Sequence, residues 1–163
     1  MMNVFATLKN QSRIILLACV GFFAGCSAVQ TVNGGDIAKD MERTAYKIAT
    51  NDSYVEELKT KRVGKTGYYY ILSGGGRVLF HPQNAIIGAD MSGADFVKQI
   101  ISEKNGCLLY SVENRRVRIF FKQISESRYL CLSLPDEEVQ ASPICEETTI
   151  LDAEFDENEI QTE

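Results

Sequence analysis

The chain has 163 residues, of which 45% are hydrophobic, and its net charge is −5. This length and hydrophobic content predict one folded domain with further segments at its ends. The charge is uneven, because residues 136–163 hold 11 acidic residues and no lysine or arginine, whereas residues 26–135 hold 15 basic and 11 acidic residues. A small basic excess beside an acidic tail is untypical of a nucleic-acid-binding surface, so we expect no nucleic-acid partner.

Residues 1–25 have the parts of an export signal: two basic residues, then the apolar run IILLACVGFFAG. The apolar run has 12 residues, fewer than the ~20 that a membrane-spanning helix needs. The tetrapeptide FAGC, ending at Cys26, resembles the bacterial lipobox, whose cysteine is lipidated. We therefore predict an exported protein that is lipid-anchored through Cys26 to the periplasmic or cell-surface side of a bacterial membrane. Two alternatives stay open: cleavage elsewhere with Cys26 incidental, and a retained anchor helix.

Small polar residues at 26–35 predict a tether, and a helical pattern begins at Asp36. The apolar residues of this helix recur at intervals of three and four residues: Ile37, Met41, Ala45 and Ile48. The segment NDS interrupts the pattern, and the spacing of Ser53 to Glu56 is that of a capping box. We expect a broken helix over about residues 36–61.

The period then changes from helical to alternating. The run YYYIL is aromatic and β-branched, which predicts a strand with Tyr68 and Tyr70 facing one way and Tyr69 and Ile71 the other. The sequence SGGG offers the positive φ angles of a tight hairpin, and RVLF returns as the second strand. Pro82 lacks an N–H group and ends that strand.

A loop of about a dozen residues leads to a helix at 94–104, which Ser92 is placed to cap and Gly106 to stop. Three strand-like runs follow at 107–112, 116–124 and 128–134. Helices segregated from antiparallel strands predict an α+β fold with a five-stranded antiparallel sheet flanked by helices. The predicted domain is 36–135, and the acidic segment 136–163 is predicted to be disordered, with docking through its short apolar stretches as an alternative.

The sequence of residues 64–100, GKTGYYYILSGGGRVLFHPQNAIIGADMSGADFVKQI, resembles the core pattern of the extracytoplasmic Cache family of sensor domains. The resemblance covers about residues 36–135 and implies a single PAS-like domain that binds a small metabolite. Such domains hand the signal to a kinase or chemoreceptor, so the resemblance implies a membrane receptor or kinase partner. The chain departs from the family at Tyr129, where tryptophan is common, and it does not match the tryptophan-bearing amino-acid-binding motif of the family's double-Cache branch.

His81, the only histidine, has two open interpretations: it bonds backbone at a strand end, or it lines a ligand pocket. A phosphate-binding loop does not fit, since the glycines precede a strand rather than a helix. No GxSxG, HExxH or paired-cysteine motif accompanies the histidine, so we expect neither an enzyme nor a metal or cofactor site.

In a PAS-like domain the pocket lies between the sheet and the segment that crosses it, which here is about residues 81–101. Tyr70, His81 and Tyr110 supply polar groups at strand positions that reach such a pocket. Arg116, Arg118, Phe120 and Lys122 share one strand face. That face is either solvent-exposed, with Val117, Ile119 and Phe121 as core, or it borders a pocket that holds an anion. Under the second alternative Arg118 clamps a carboxylate. The predicted ligand is then a small organic anion that contacts Tyr70, His81, Tyr110 and Arg118.

Cys107, Cys131 and Cys145 remain after the signal and the lipidated cysteine, an odd number whose spacing fits no metal site. Cys107 and Cys131 lie in strand-like runs and are predicted to be small buried apolar residues, with a bridge between them as the alternative. A binding protein that only captures a solute, and a structural or interaction lipoprotein, are the alternatives to a sensor subunit.

Overall fold

The computed structural model describes residues 31–112, 115–140 and 151–152. The predicted signal peptide, Cys26 and most of the acidic tail lie outside these ranges. Within them the chain forms two α-helices, α1 (Gly34–Thr50) and α2 (Asp95–Glu103), and three 3-10 helices, Asp52–Lys59, Asn84–Ile86 and Asp136–Glu138. The strands in these ranges are β1 (Val32–Asn33), β2 (Arg62–Val63), β3 (Gly67–Ser73), β4 (Val78–Phe80), β5 (Asn105–Val112), β6 (Arg115–Ser125), β7 (Arg128–Pro135), β8 (Val139–Gln140) and β9 (Leu151–Asp152).

Five of these strands form an antiparallel sheet in the order β4, β3, β7, β6, β5. Two short strands extend it: β2 pairs with β3 beside β4, and β9 pairs with β5 in parallel. A separate parallel pair joins β1 to β8. The predicted α+β class and the predicted five-stranded antiparallel core are confirmed.

The two faces of the sheet are covered by different segments. On the first, the α1 face, the apolar side of α1 packs against Tyr69, Ile71 and the alternating leucines of β7. On the second, the loop face, the segment after β4 and helix α2 pack against Tyr70, Leu72 and Phe121. The predicted alternation of the tyrosines along β3 is confirmed, because Tyr69 lies on the first face and Tyr70 on the second.

Three predicted helix signals are wrong in detail. The second helical segment is a 3-10 helix that begins after Asn51, whose Oδ1 accepts the N–H of Ser53 at 3.1 Å, so Asn51 and not Ser53 is the cap. Ser92 does not cap α2, because the N-cap position is Ala94 and no side-chain hydrogen bond caps the helix. Lys104 and not Gly106 ends α2, with φ 69 and its N–H bonded to the carbonyl of Ile100.

The predicted domain boundary at residue 135 is wrong by at least five residues. Residues 136–140 continue the fold, and Glu138 is only 4% exposed. The backbone of Leu151–Asp152 also pairs with β5. The rest of the predicted tail lies outside the described residues. The cause is that Glu138 finds hydrogen-bond donors on a distant turn, which a composition argument about local charge does not detect.

The two described cysteines differ. Cys131 is a free thiol buried in β7, as predicted. Cys107 is disulfide-bonded, which corrects its assignment as a simple buried apolar residue. Because Cys131 is free, the Cys107–Cys131 bridge is not formed. Within the described ranges, no helix combines the length and hydrophobicity that crossing a bilayer requires.

Candidate functional site

Three aromatic side chains meet where the segment after β4 returns over the loop face. The rings of Tyr68 and His81 lie edge to face with their centroids 5.0 Å apart, and the rings of Tyr70 and His81 are 6.1 Å apart. Tyr68 and Tyr70 point the same way because they alternate along β3, and their centroids are 6.3 Å apart. His81 directly follows Phe80, the last residue of β4, whose pairing with Ile71 holds it beside them.

Tyr110 and Phe96 form the neighbouring part of this surface. Their rings stack with the centroids 4.9 Å apart and the planes 14° from parallel. The hydroxyl of Ser133, a buried residue of β7, interacts with the Tyr110 hydroxyl. Ser133 is also the cross-strand partner of Tyr68. The structure therefore brings together three of the predicted contacts, Tyr70, His81 and Tyr110, and adds Tyr68 and Ser133.

Burial keeps these groups neutral. It raises the pKa of Tyr110 to about 12 and the pKa of Tyr70 well above its ordinary value. Burial likewise raises the pKa of the Cys131 thiol, which hydrogen-bonds the Tyr70 hydroxyl. At neutral pH the phenols are therefore hydrogen-bond donors and the thiol is unreactive. The described groups of this surface offer hydrogen-bond donors and aromatic ring faces.

His81 is 7% exposed and has a defined tautomer. Its Nδ1 accepts the N–H of Gln83 at 3.0 Å, so in the neutral ring Nε2 carries the proton. Burial lowers the pKa of His81 below its ordinary value. The bond to Gln83 agrees with the interpretation that His81 bonds backbone at a strand end. It also fixes the ring beside Tyr68 and Tyr70, where a residue that lines a pocket would have to lie.

Arg118 does not join this group, and its predicted place in a common site is wrong. It pairs across strands with Leu134, a residue of the α1 face, so it lies on the opposite side of the sheet. Its Nε and Nη2 both bond Oδ1 of Asp136, at 2.8 and 2.5 Å. Neither alternative for its strand face foresaw this, because the partner carboxylate lies 18 residues away along the chain.

The loop face carries a hydrophobic cluster. Its described members, including those partly exposed, carry no ionised group at neutral pH: Tyr68, Tyr70, Leu72, Val78, Ile86, Ala89, Met91, Ala94, Phe96, Val97, Ile100, Ile101, Leu108, Tyr110, Ile119, Phe121, Tyr129 and Cys131. In the described ranges, moreover, no three His, Cys, Asp or Glu side chains are grouped so as to hold a metal ion. The cluster therefore offers aromatic faces, with the phenol hydroxyls as neutral hydrogen-bond donors.

Tyr68 could have been found from the sequence, since it shares the alternation of Tyr70. Ser133 gave a weaker signal, a lone hydroxyl within the apolar run LCLSL. Its role depends on the order of strands in the sheet, where β7 lies between β3 and β6. The sequence alone does not give that order.

The Cache 3/Cache 2 fusion domain family matches residues 45–141, which is more than half of the chain. The fold is similar to that of a methyl-accepting chemotaxis protein from Vibrio parahaemolyticus RIMD 2210633, with a TM-score of 0.54 and 14% identity. That match covers 64% of this chain and 90% of the Vibrio chain. At this identity the similarity shows the fold alone.

Two further solved structures are similar with lower TM-scores and over a smaller part of this chain. A Cache chemosensory domain solved for carboxylic acid recognition has a TM-score of 0.45 and 18% identity, over 63% of this chain and 80% of that one. The extracellular domain of mmHK1S-Z2, a protein assigned as a histidine kinase, has a TM-score of 0.45 and 24% identity, over 53% of this chain. The match covers only 37% of the mmHK1S-Z2 domain. No curated protein matches the chain.

Proposed function

The chain belongs to the Cache 3/Cache 2 fusion domain family, and on that basis we propose that it is an extracytoplasmic sensor that binds a small metabolite on its loop face. The observation that carries the proposal is the convergence of Tyr68, Tyr70, His81 and Tyr110 between the sheet and the segment that crosses it. Such a surface, mostly apolar with a few converging polar groups, is typical of small-molecule sites.

The ligand is a small molecule with hydrogen-bond acceptors and a flat or apolar part. Its acceptors bind the O–H donors of the phenols and the N–H donor of the imidazole. Its flat part lies against the aromatic rings. The organic-anion form of the prediction depended on Arg118, which pairs with Asp136 on the other face. Burying a full charge against the neutral loop-face cluster is costly, so an uncharged ligand fits these side chains better.

The sensor is held at the membrane by lipid on Cys26 and signals through a membrane partner. The support for the anchor is the lipobox-like FAGC after a short apolar run. Lipidation of that kind combines more than one acyl chain, which is sufficient for stable attachment. Support for a membrane partner is indirect: similar structures come from a chemotaxis receptor and from a protein assigned as a histidine kinase.

A ligand screen tests the binding function. The mature chain with Cys26→Ser is screened by thermal shift against neutral heterocycles, organic acids and amines. Neutral heterocycles are expected to raise the melting temperature and charged compounds to have little effect. If no compound in any class binds, the chain is a structural or interaction lipoprotein and the sensor proposal is wrong.

Matched variants then locate the site. Tyr110→Phe and Tyr70→Phe each remove one donor and keep the ring, and each is expected to weaken binding by about fivefold to tenfold. Tyr46→Phe is the control, because Tyr46 is 71% exposed on α1, away from the loop face. Isothermal titration with the compound found in the screen measures all three. Unchanged affinity in both site variants would place the ligand elsewhere.

A further inference from the structure

Glu138 ties the chain that leaves β7 to a distant turn. Its Oε2 accepts the N–H groups of Lys65 at 2.8 Å and of Thr66 at 3.1 Å, and its Oε1 accepts the Thr66 hydroxyl at 2.7 Å. The turn joins β2 to β3 and includes Gly64 at φ 64. One buried carboxylate thus receives three hydrogen bonds from two adjacent residues.

Both segments of this contact, which we call the Glu138 latch, run directly into the candidate site. Thr66 stands two residues before Tyr68, and Ser133 stands five residues before Glu138. Tyr68 and Ser133 are cross-strand partners. Between them and the latch, Gly67 is closely packed, because a Cβ there would lie 2.5 Å from the Val63 carbonyl oxygen and 2.9 Å from Leu134 Cβ. A displacement of the Tyr68–Ser133 pair is therefore transmitted to the latch through the closely packed backbone at Gly67.

The other side of the latch leads to the ends of the domain. Directly after Glu138, strand β8 pairs with β1, with Val139 opposite Val32. The Gln140 side chain also donates to the Thr31 hydroxyl at 3.0 Å. Strand β1 leads straight into α1, whose first turn is capped by Asn33. The latch thus fixes the outgoing chain next to the incoming one.

We propose that the Glu138 latch couples occupancy of the loop-face site to the two ends of the domain. The inference rests on the proposed ligand-binding function for its purpose, but the coupling itself does not need a known ligand. The three bonds converge on one carboxylate, so in this proposal they form and break together, and the latch has a latched and a released state. A ligand that moves the Tyr68–Ser133 pair changes the balance between the latched and released states. Release frees the β1–β8 pair to contact a membrane partner.

The first test removes the charge of the latch. Glu138→Gln keeps the shape of the side chain, and Glu137→Gln changes an exposed neighbour on the same turn as the control. Amide hydrogen exchange at residues 32–35 and 139–140 is expected to rise about tenfold in Glu138→Gln and to stay unchanged in Glu137→Gln. Equal exchange in both variants would mean that the carboxylate does not hold the ends together, and the proposal would fail.

The second test asks whether the latch and the site communicate. The protein is labelled with 3-fluorotyrosine, and the ¹⁹F resonances are assigned by single Tyr→Phe substitutions. Glu138→Gln is expected to shift the resonance of Tyr110, which lies on another strand, and to leave that of exposed Tyr46 in place. Coupling is reciprocal, so Tyr110→Phe is expected to change exchange at residues 139–140. An unmoved Tyr110 resonance overturns the coupling even if the ends have loosened.

These outcomes separate the inference from the proposed function. If the resonance shifts and exchange changes occur but the ligand screen is empty, the latch is coupled to a surface that binds none of the tested compounds. If a ligand binds and the latch variants change neither measurement, the sensor proposal stands and the latch is structural. The inference stands only in the first of these cases or when both sets of experiments succeed.

Discussion

The His81 and Tyr68 rings meet edge to face at 75°, while Nδ1 of His81 accepts the N–H of Gln83. The ring is therefore held on both sides, by a backbone donor and by an aromatic neighbour. A protonated imidazole would lose the Gln83 bond, because Nδ1 would then be a donor facing another donor.

Acid is accordingly expected to destabilise the protein through His81. Burial lowers its pKa in the folded state below the ordinary 6.5, so the unfolded state binds the proton more readily. Stability is complete above pH 6.5 and falls as the pH drops through 6.5 towards the folded pKa, by at most about 1.4 kcal/mol per pH unit. Urea denaturation between pH 7.5 and 5.5 measures this. His81→Asn is expected to lose the dependence, and an equal slope in both proteins would contradict the assignment.

Arg118 is expected to contribute to stability and not to ligand binding. Arg118 and Asp136 are 17% and 18% exposed, so removing one charge leaves the other largely buried. Arg118→Met is expected to lower the free energy of unfolding by about 2 kcal/mol, less than for a fully buried pair, because Arg116 also reaches Asp136 at 3.2 Å.

The double variant Arg118→Met/Asp136→Asn serves as its control. It is expected to be more stable than the sum of the single losses predicts, which a double-mutant cycle measures. Ligand affinity, measured by titration, should match that of the wild type. A large loss of affinity in Arg118→Met would return Arg118 to the binding site.

Asp40 is expected to stabilise the contact between α1 and the sheet. It accepts the Tyr69 hydroxyl at 2.8 Å and the Lys61 ammonium at 2.8 Å. Burial acts to raise the pKa of Asp40, but the hydrogen bonds from Lys61 and Tyr69 outweigh it, and the net pKa lies below the ordinary 3.8. Asp40→Asn is expected to cost about 1–3 kcal/mol at pH 7.

The pH dependence of that cost identifies its origin. A carboxyl with a lowered pKa contributes stability above pH 3.8 and loses it as the pH falls through the folded value. The difference between wild type and Asp40→Asn should therefore shrink below pH 4. Tyr69→Phe is the matched control, since it removes the same hydrogen bond without changing the charge. A difference that persists undiminished in acid would point to packing instead.

Local patterns predicted much of this fold because they report directly on backbone geometry. Alternation placed Tyr69 and Tyr70 on opposite faces of β3, and the three- and four-residue intervals located the buried side of α1. The five main strands follow from the same signals. Three of the four predicted ligand contacts also meet, since each was chosen for a strand position within the Cache-like pattern.

Contacts between distant segments were not predictable in the same way. The Glu138 carboxylate bonds Thr66 across 72 residues, and Asp136 neutralises Arg118. Both acids nevertheless belong to a run whose local composition predicts disorder. Cys107 and Cys131 stand in similar apolar strands, and only the folded structure shows that one is disulfide-bonded and the other free. Long-range pairing decides these features, and a single sequence does not display it.

The proposed lipid anchor makes a separate prediction about Cys26. Cys26→Ala is expected to release the protein from membranes and to abolish its labelling by radioactive fatty acid. Cys131→Ala is the control, because its thiol is buried in β7 and is not a candidate for lipidation. Labelling that persists in Cys26→Ala would mean that export does not end in lipidation at this residue.

Two adjacent glycines of the β3–β4 hairpin are expected to respond in opposite ways to alanine. Gly76 has φ +82, and a Cβ there would lie 2.7 Å from the Cα of Ser92, on the segment that leads to α2. Its carbonyl also accepts the N–H of Met91 at 3.0 Å, so the hairpin cannot turn away from that segment without losing a bond. Gly76→Ala is expected to destabilise the protein by about 2 kcal/mol or more, through both the backbone angle and the clash.

Gly75 provides the matched comparison, since it does not have a positive φ and a Cβ there would meet only Ser73 Oγ at 3.9 Å. Gly75→Ala is expected to be neutral or to stabilise by about 0.4–1 kcal/mol, because alanine restricts the unfolded chain without straining the folded one. Thermal and urea denaturation of both variants measure the contrast. If the two substitutions cost the same, the hairpin is not held against the Ser92 segment as the structure shows. In that case the glycines of SGGG would only make the hairpin flexible. The contact between Gly76 and the Ser92 segment instead requires a glycine at position 76 in particular.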